Sequence, residues 1–328
     1  MASSQLRVTA TCTSGEDEEI LVLLSRHIVD TRKTSDFMAL KVQLEDEVLD
    51  VSTASHHTDH AISTKISGSF TNKNAGGNPT YPSFMFNPQY HLHIPKQAMV
   101  KKKAHVAIAM EGSRELPMQI MVVWSVGQRI TELSGKDIVA TSGPYTYGLA
   151  RIVAQLSPGD YNIVVSAFEP RHTGDFKLDI SSDLRLNVTN ILQEGAGMFS
   201  KSVRDAWTGT SAAGAPSFDR YFENPIFEIS LLSQAKVQVR LQLDQSQSSY
   251  PLNVSIYSAT RAISTAEHVA TSGGYSDALS GVITPLVHLP KGKYWIVPST
   301  YNPEKEAPFR LIVYSTVSLE PRRVARTG

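Results

Sequence analysis

Cysteine is almost absent from this sequence, since Cys12 is the only one among 328 residues. A single thiol cannot form a disulfide within the chain, and this usage is typical of a reducing compartment. No apolar run approaches the roughly 20 residues that a helix needs to span a bilayer. Residues 1–7 also lack the apolar stretch of a signal peptide. We therefore expect a soluble, cytoplasmic protein.

An excess of charge of either sign is also absent. Lysine and arginine together number 31, and aspartate and glutamate together number 31, so the formal net charge is zero. This balance argues against a general attraction to nucleic acid, which we do not expect as a partner. Hydrophobic residues make up 41% of the chain, enough for a folded core, and the length favours two domains.

An internal repeat determines the expected organisation. Residues 66–94 align without a gap with residues 203–231, and the matching residues are Thr71, Ala75, Gly77, Pro79, Asn87 and Pro88 with Thr208, Ala212, Gly214, Pro216, Asn224 and Pro225. Later, VATSGPY at 139–145 returns as VATSGGY at 269–275, and the block at 156–170 returns at 289–303. Three blocks in the same order indicate two copies of one domain, predicted at residues 66–188 and 196–320. The glycine-rich stretch 193–197 is predicted to belong to the join.

Each copy has the pattern of an all-β domain. Short segments rich in valine, isoleucine or aromatic residues occur at 118–124, 161–166, 237–243 and 252–257. Apolar and polar residues alternate at 237–243, and this period of two predicts one face toward a core and the other toward water. The sequence thus predicts two tandem antiparallel β-sandwiches, preceded by a short N-terminal β segment. A short helix is expected only around residues 191–194.

A repeated structural motif is predicted inside each copy. Glycine in residues 75–77 (AGG) and 212–214 (AAG) permits a tight turn with positive φ. The proline after Asn87 and after Asn224 favours extended geometry and the start of a strand. Phe70 and Trp207 are predicted core anchors. The motif comprises Phe70, Ala75, Gly76, Gly77, Asn87, Pro88, Trp207, Gly214, Asn224 and Pro225.

These residues carry a family resemblance. Residues 68–70 (GSF), 74–78 (NAGGN) and 86–90 (FNPQY) resemble the start of calpain domain III. Residues 20–30 (ILVLLSRHIVD) resemble the module that joins the protease core to such domains in fungal PalB-type calpain-like cysteine proteases. The resemblance implies C2-like β-sandwiches and a parent endopeptidase that acts in fungal ambient-pH signalling. It also implies recruitment by ESCRT-III-type components on endosomal membranes, and residues 1–65 as a remnant of the joining module.

The chain departs from that family in lacking a recognisable papain-like core. Cys12 lies between two threonines, without the histidine base and orienting asparagine that a nucleophilic cysteine requires. We therefore expect a non-catalytic region that supports a protease core, in cis or in trans, through protein or peripheral membrane contacts. The alternative is a stand-alone β-sandwich that binds carbohydrate or lipid. No cofactor is expected.

Several polar clusters have two interpretations. His56 and His60 are candidate metal ligands in a histidine-rich stretch that also reads as a solvated loop. His91 and His93 flank Leu92 and share one face of a predicted strand, where they are able to chelate or simply form its polar side.

A basic patch and an interface complete the expectations. Lys96, Lys101, Lys102 and Lys103 are either a contact for anionic lipid or a solvated loop. The second copy is predicted to dock on the first through apolar surface.

Overall fold

The computed structural model describes residues 62–96, 103–244, 250–259 and 267–325, together with the backbone of residues 42–43 and 48–49. The chain forms two compact units, Met1–His57 and Thr58–Gly328. Within the first unit, β1 (Val42–Gln43) pairs with β2 (Val48–Leu49) in antiparallel register. The second unit contains two β-sandwiches.

The first sandwich is built from ten described strands and one 3₁₀ helix, Pro82–Phe86. The strands are β3 (Ile62–Phe70), β4 (Gln89–Ile94), β5 (Ala104–Gly112), β6 (Pro117–Trp124), β7 (Ile138–Thr141), β8 (Thr146–Tyr147), β9 (Leu149–Leu156), β10 (Gly159–Ala167), β11 (Gly174–Ser182) and β12 (Asn187–Ile191). One sheet has the order β3-β11-β5-β9. The other has the order β12-β4-β10-β6-β7, with β8 beside β6.

The second sandwich also has ten described strands, with 3₁₀ helices at Gly209–Ser211 and Tyr221–Glu223. The strands are β13 (Phe199–Trp207), β14 (Phe227–Leu231), β15 (Ala235–Leu243), β16 (Leu252–Ser258), β17 (Ala270–Thr271), β18 (Val282–Ile283), β19 (Val287–Leu289), β20 (Gly292–Thr300), β21 (Ala307–Ser315) and β22 (Arg322–Arg323). The sheet orders are β13-β21-β15-β18, with β19 beside β15, and β17-β16-β20-β14-β22.

The two sandwiches repeat the same strand order. The run β3-β11-β5 corresponds to β13-β21-β15, and β12-β4-β10-β6-β7 corresponds to β22-β14-β20-β16-β17. The all-β, antiparallel fold predicted from the sequence is therefore confirmed. The limits at 1–65, 66–188 and 196–320 stay predictions, because the contacts divide the chain only after His57.

Each sandwich encloses a core of its own. Phe70 packs on Phe176 with ring centroids 4.7 Å apart, and Trp207 packs on Phe309 at 4.3 Å. The indole N–H of Trp207 donates a hydrogen bond to the Pro298 carbonyl at 3.2 Å. This bond satisfies the only polar atom of a fully buried side chain.

A buried asparagine fixes the turn before β4 and before β14. The Asn87 amide donates to the carbonyls of Gly77 at 2.8 Å and Phe84 at 2.9 Å. The Asn224 amide donates to Gly214 at 2.7 Å and to Tyr221 at 2.8 Å. Both asparagines have extended backbone geometry, with ψ of 153° and 158°, in agreement with the effect of the proline that follows. The side chain thus replaces the backbone partners that a turn leaves unpaired.

The glycine ten residues before each of these asparagines lies against a proline that follows β10 or β20. Gly77 has φ +80°, and a Cβ on it would lie 2.6 Å from Pro170 Cδ. Gly214 has φ +79°, and a Cβ there would lie 2.7 Å from the Pro303 nitrogen. Glycine is therefore required twice over at this position, by backbone conformation and by the close approach.

The helix expected around residues 191–194 is wrong. Ile191 ends β12, which pairs with β4 along the edge of the sheet, and residues 194–197 form a turn. Gly195 has φ +68°, and a Cβ on it would lie 2.2 Å from the Tyr314 ring. Long-range pairing and this close contact override any local helical preference.

Replacing Gly77 by alanine should lower stability more than the same change at Gly143. Both glycines have φ +80°, so each substitution incurs the left-handed backbone cost of about 1–2 kcal/mol. Only Gly77→Ala must also displace Pro170, since nothing lies within 4 Å of a Cβ on Gly143. Urea unfolding of the two variants measures the difference, and equal midpoints would contradict the steric argument.

Candidate functional site

The motif residues predicted from the repeat all lie inside the protein. Each is buried, and the set is Phe70, Ala75, Gly76, Gly77, Asn87, Pro88, Trp207, Gly214, Asn224 and Pro225. They shape the two turns and cores described above. Their positions leave little side-chain surface for a ligand or partner.

The structure describes part of the predicted basic patch and neither histidine of the predicted pair His56 and His60. Lys96 and Lys103 are exposed, whereas Lys101 and Lys102 lie outside the described residues. His56 and His60 also lie outside them, as does Cys12. Lipid contact by the lysines and metal binding by this histidine pair therefore stay predictions. Among the described residues, no helix combines the length and hydropathy needed to cross a bilayer.

A buried ion pair lies where the two sandwiches meet. Arg240, in the central strand β15, donates from Nε to Glu194 Oε1 at 2.7 Å and from Nη2 to Oε2 at 2.5 Å. The Arg240 side chain is fully buried and Glu194 is 3% exposed. A third bond runs from Arg240 Nη1 to the Ser280 carbonyl at 2.9 Å. Two parallel hydrogen bonds between guanidinium and carboxylate pair the opposite charges and also fix the relative orientation of the two side chains.

The prediction from the alternation at 237–243 is therefore wrong for two side chains. Arg240 and Gln242 were predicted to face water, but their exposed fractions are 0% and 4%. Their face of β15 is covered by the segment between the sandwiches and by the first sandwich. A period of two reports only that successive side chains point to opposite faces, and it does not say what covers the polar one.

Residues of the first sandwich complete this inter-sandwich interface. Arg129 donates to the carbonyls of Met85 at 2.6 Å and Asn87 at 2.8 Å, and reaches Leu192 O at 3.3 Å. The guanidinium carbon of Arg240 lies 5.8 Å from the centroid of the Phe86 ring. The cation is thus flanked by an aromatic face on one side and its carboxylate on the other.

Direct hydrogen bonds also cross between the sandwiches. Gln242 Nε2 donates to the Pro82 carbonyl at 2.9 Å, and Ser280 Oγ donates to the Thr131 carbonyl at 3.0 Å. Each hydrophobic cluster of the described residues is confined to one sandwich. Docking through apolar surface stays a prediction, and the contacts named here join polar side chains to backbone carbonyls.

Burial changes the proton affinity of two groups at this interface. Loss of water lowers the pKa of Arg129 to about 10, an effect that the nearby Glu194 opposes. Burial also raises the pKa of the Tyr314 phenol, with a further contribution from the Glu194 carboxylate. At neutral pH Arg129 is therefore still charged and the Tyr314 phenol is neutral.

A second polar cluster lies on the outer face of the first sandwich. His91 and His93 alternate along β4 with core residues, and Asp160 is the cross-strand partner of His93 on β10. His91 Nε2 and His93 Nδ1 each lie 2.8 Å from Asp160 Oδ1. These hydrogen bonds, the one from His91 first, lower the pKa of the Asp160 carboxyl. Asp160 was not identified from the sequence.

The loop after β6 holds one side of this cluster in place. Asn162 Nδ2 donates to the Gln128 carbonyl at 2.7 Å, and Ser125 Oγ donates to Asn162 Oδ1 at 2.7 Å. Gly127 has φ +79°, and a Cβ on it would lie 3.0 Å from the His91 ring. The loop therefore packs on the imidazole at a position where only glycine fits without displacement.

Two family models match the chain. Residues 66–181 match the calpain large subunit, domain III, and residues 200–324 match the RIM13 third calpain-like domain. The matched segments coincide with most of the first and most of the second sandwich.

Similar sequences occur in larger proteins. The calpain-like protease palB/RIM13 of Cryptococcus neoformans var. neoformans serotype D is 36% identical over 256 residues, which is 78% of this chain and 31% of the relative. The calpain-like protease palB of Emericella nidulans is 37% identical over 136 residues, or 41% of this chain and 15% of the relative. A more distant similarity, 25% over 282 residues, covers 77% of this chain and 25% of the serine/threonine-protein kinase 4 homolog B of Dictyostelium discoideum. The chain spans less than a third of the length of each of these relatives.

Removal of Arg240 should destabilise the second unit strongly. Arg240→Met leaves Glu194 buried without its hydrogen-bonded cation, a change that typically costs about 3–5 kcal/mol. Arg204→Met is the matched control, because its ion pair with Asp244 is exposed and such pairs contribute about 0–1 kcal/mol. Denaturant unfolding compares the free energies.

The double variant Arg240→Met/Glu194→Met separates charge from packing. Since it removes the Glu194 carboxylate together with its hydrogen-bonded cation, it should recover part of the stability that Arg240→Met loses. If Arg240→Met unfolds at the same denaturant concentration as Arg204→Met, the buried pair does not have the role assigned to it.

Proposed function

Because the chain belongs to the PalB/RIM13 calpain-like family, we propose that its two β-sandwiches form a non-catalytic region that supports a calpain-like protease core. The observation that carries this proposal is the extent of the match to the Cryptococcus protease. The similarity runs through 78% of this chain and yet occupies only 31% of that relative. In this proposal, a protease core outside the matched stretch supplies the catalytic chemistry, in cis or in a separate chain.

The described residues offer no cysteine nucleophile. The single cysteine of the sequence, Cys12, lies outside them, and a thiol peptidase requires a thiolate next to a histidine base. A similar stretch also forms part of a Dictyostelium protein that is named as a kinase. Its presence beside a different catalytic activity favours a supporting role for the sandwiches, because function resides in sites rather than in folds.

The inter-sandwich interface suggests how this support operates. Gln242 bonds the second sandwich directly to the first, and Arg240 bonds it to Glu194 of the connecting segment. A tandem held in one orientation presents its outer faces as a single surface to a protease core or a partner. The predicted limits at 66–188 and 196–320, and the role of residues 1–65 as part of a joining module, belong to this proposal.

The finer biological assignment rests on the same family membership. The parent protease would act in fungal alkaline-pH signalling, and the sandwiches would contact ESCRT-III-type components on endosomal membranes. Of the predicted basic patch, Lys96 and Lys103 are described and exposed, and we assign them a peripheral contact with anionic lipid.

The size of the native protein tests the proposal. An antibody against the second sandwich should detect, in cells of the source, a band well above 35.9 kDa, and transcript sequencing should show an upstream cysteine, histidine and asparagine core. A 35.9 kDa band that co-purifies with a calpain-like core would place the support in trans. A 35.9 kDa band with no such core attached would contradict the proposal and favour a stand-alone sandwich that binds carbohydrate or lipid.

The purified chain provides the complementary measurement. It should cleave neither casein nor a fluorogenic peptide, with or without calcium, at a rate above that of its Cys12→Ser variant. Peptidase activity that disappears in Cys12→Ser would show that the chain is itself catalytic.

A further inference from the structure

The cluster on β4 and β10 has the donor set of a metal site. The two imidazole nitrogens and the carboxylate oxygen of His91, His93 and Asp160 all lie within 4.8 Å of one another. Zinc binds nitrogen at about 2.0–2.1 Å and carboxylate oxygen at about 2.0–2.2 Å, so neighbouring ligands of a tetrahedral ion are about 3.3 Å apart. The observed nitrogen–oxygen distances of 2.8 Å need to widen by only about half an ångström.

Each side chain is accessible and yet held in place. The exposed fractions are 23% for His91, 40% for His93 and 39% for Asp160, so an ion can enter from solvent and keep water as a further ligand. The strand register fixes His93 opposite Asp160, and Gly127 packs on the His91 ring. Ligands that sit on paired strands are positioned more precisely than ligands on a loop.

We propose that His91, His93 and Asp160 bind a divalent transition-metal ion, with Zn²⁺ as the type ion, on the outer face of the first sandwich. In the metal-free form each ring nitrogen donates its proton to the same Asp160 oxygen. Zinc would take the place of these two protons and link β4 to β10. The donor set of imidazole and carboxylate favours zinc over calcium or magnesium, which prefer oxygen ligands alone.

The second sandwich supplies an internal comparison. In the gapless alignment of the repeats, His91 and His93 correspond to Glu228 and Ser230. Lys293 takes the cross-strand place of Asp160, since it pairs with Ser230 as Asp160 pairs with His93. Lys293 and Glu228 form an exposed ion pair at 2.8 Å. A lysine ammonium has no lone pair to offer, so the equivalent position of the second copy cannot chelate.

This inference is independent of the proposed function, and its test is a binding measurement. Calorimetric titration of Zn²⁺ into the metal-free full chain should show one site that raises the thermal midpoint. His93→Gln and Asp160→Asn should each weaken that site at least tenfold and abolish the thermal shift, while metal-free midpoints show whether each variant is folded. His105→Ala, which alters an exposed histidine of β5 outside the cluster, should bind as the parent chain does.

The remaining outcomes overturn the proposal. Binding that survives both His93→Gln and Asp160→Asn, or a titration with no zinc site at all, would leave the cluster as a carboxylate with two hydrogen-bonded histidines. Loss of the zinc site in His56→Ala/His60→Ala, with retention in His93→Gln, would assign the metal to the histidine-rich stretch instead.

Discussion

A guanidinium and a carboxylate that are both removed from water join the second sandwich to the segment between the sandwiches. Transfer of each ion out of water costs several kcal/mol, and only good geometry with full hydrogen bonding compensates for it. Arg240 meets this condition with two bonds to Glu194 and one to the Ser280 carbonyl. Because the compensation depends on direction, the pair fixes the position of the connecting segment against strand β15.

The inner half of each sandwich was predictable because its constraints are local and occur twice. Asn87 and Asn224 stand before proline at the same place in two aligned segments, and the glycines ahead of them need positive φ. An asparagine before proline and a glycine with positive φ are each compatible with few backbone conformations. The Asn-Pro pairs and turn glycines occur in both repeats, with short alternating segments between them. Together they predicted the turns, the strands and the β-sandwich fold class.

The outer faces were less predictable for a different reason. Arg240 occupies a polar position of an alternating strand, and that pattern is identical whether water or another domain covers the face. Asp160 could not be linked to His93 either, because the two are 67 residues apart and meet only through the register of β4 and β10. The histidine spacing did identify two of the three residues of the cluster. Identification of the third residue, Asp160, required the strand pairing, which sequence patterns specify only weakly.

The two copies differ at an outward-pointing position of their central strands. In the register of each central strand, Ala109 of β5 holds the place that Arg240 holds in β15, since Phe176 pairs with Gly112 as Phe309 pairs with Leu243. Without Glu194, Arg240 would be a buried cation with no carboxylate partner. The segment between the sandwiches and strand β15 therefore constrain each other's sequence, although neither belongs to the repeat's shared core. The inner positions, by contrast, satisfy the same packing requirements in both copies, as the Phe70–Phe176 and Trp207–Phe309 pairs show.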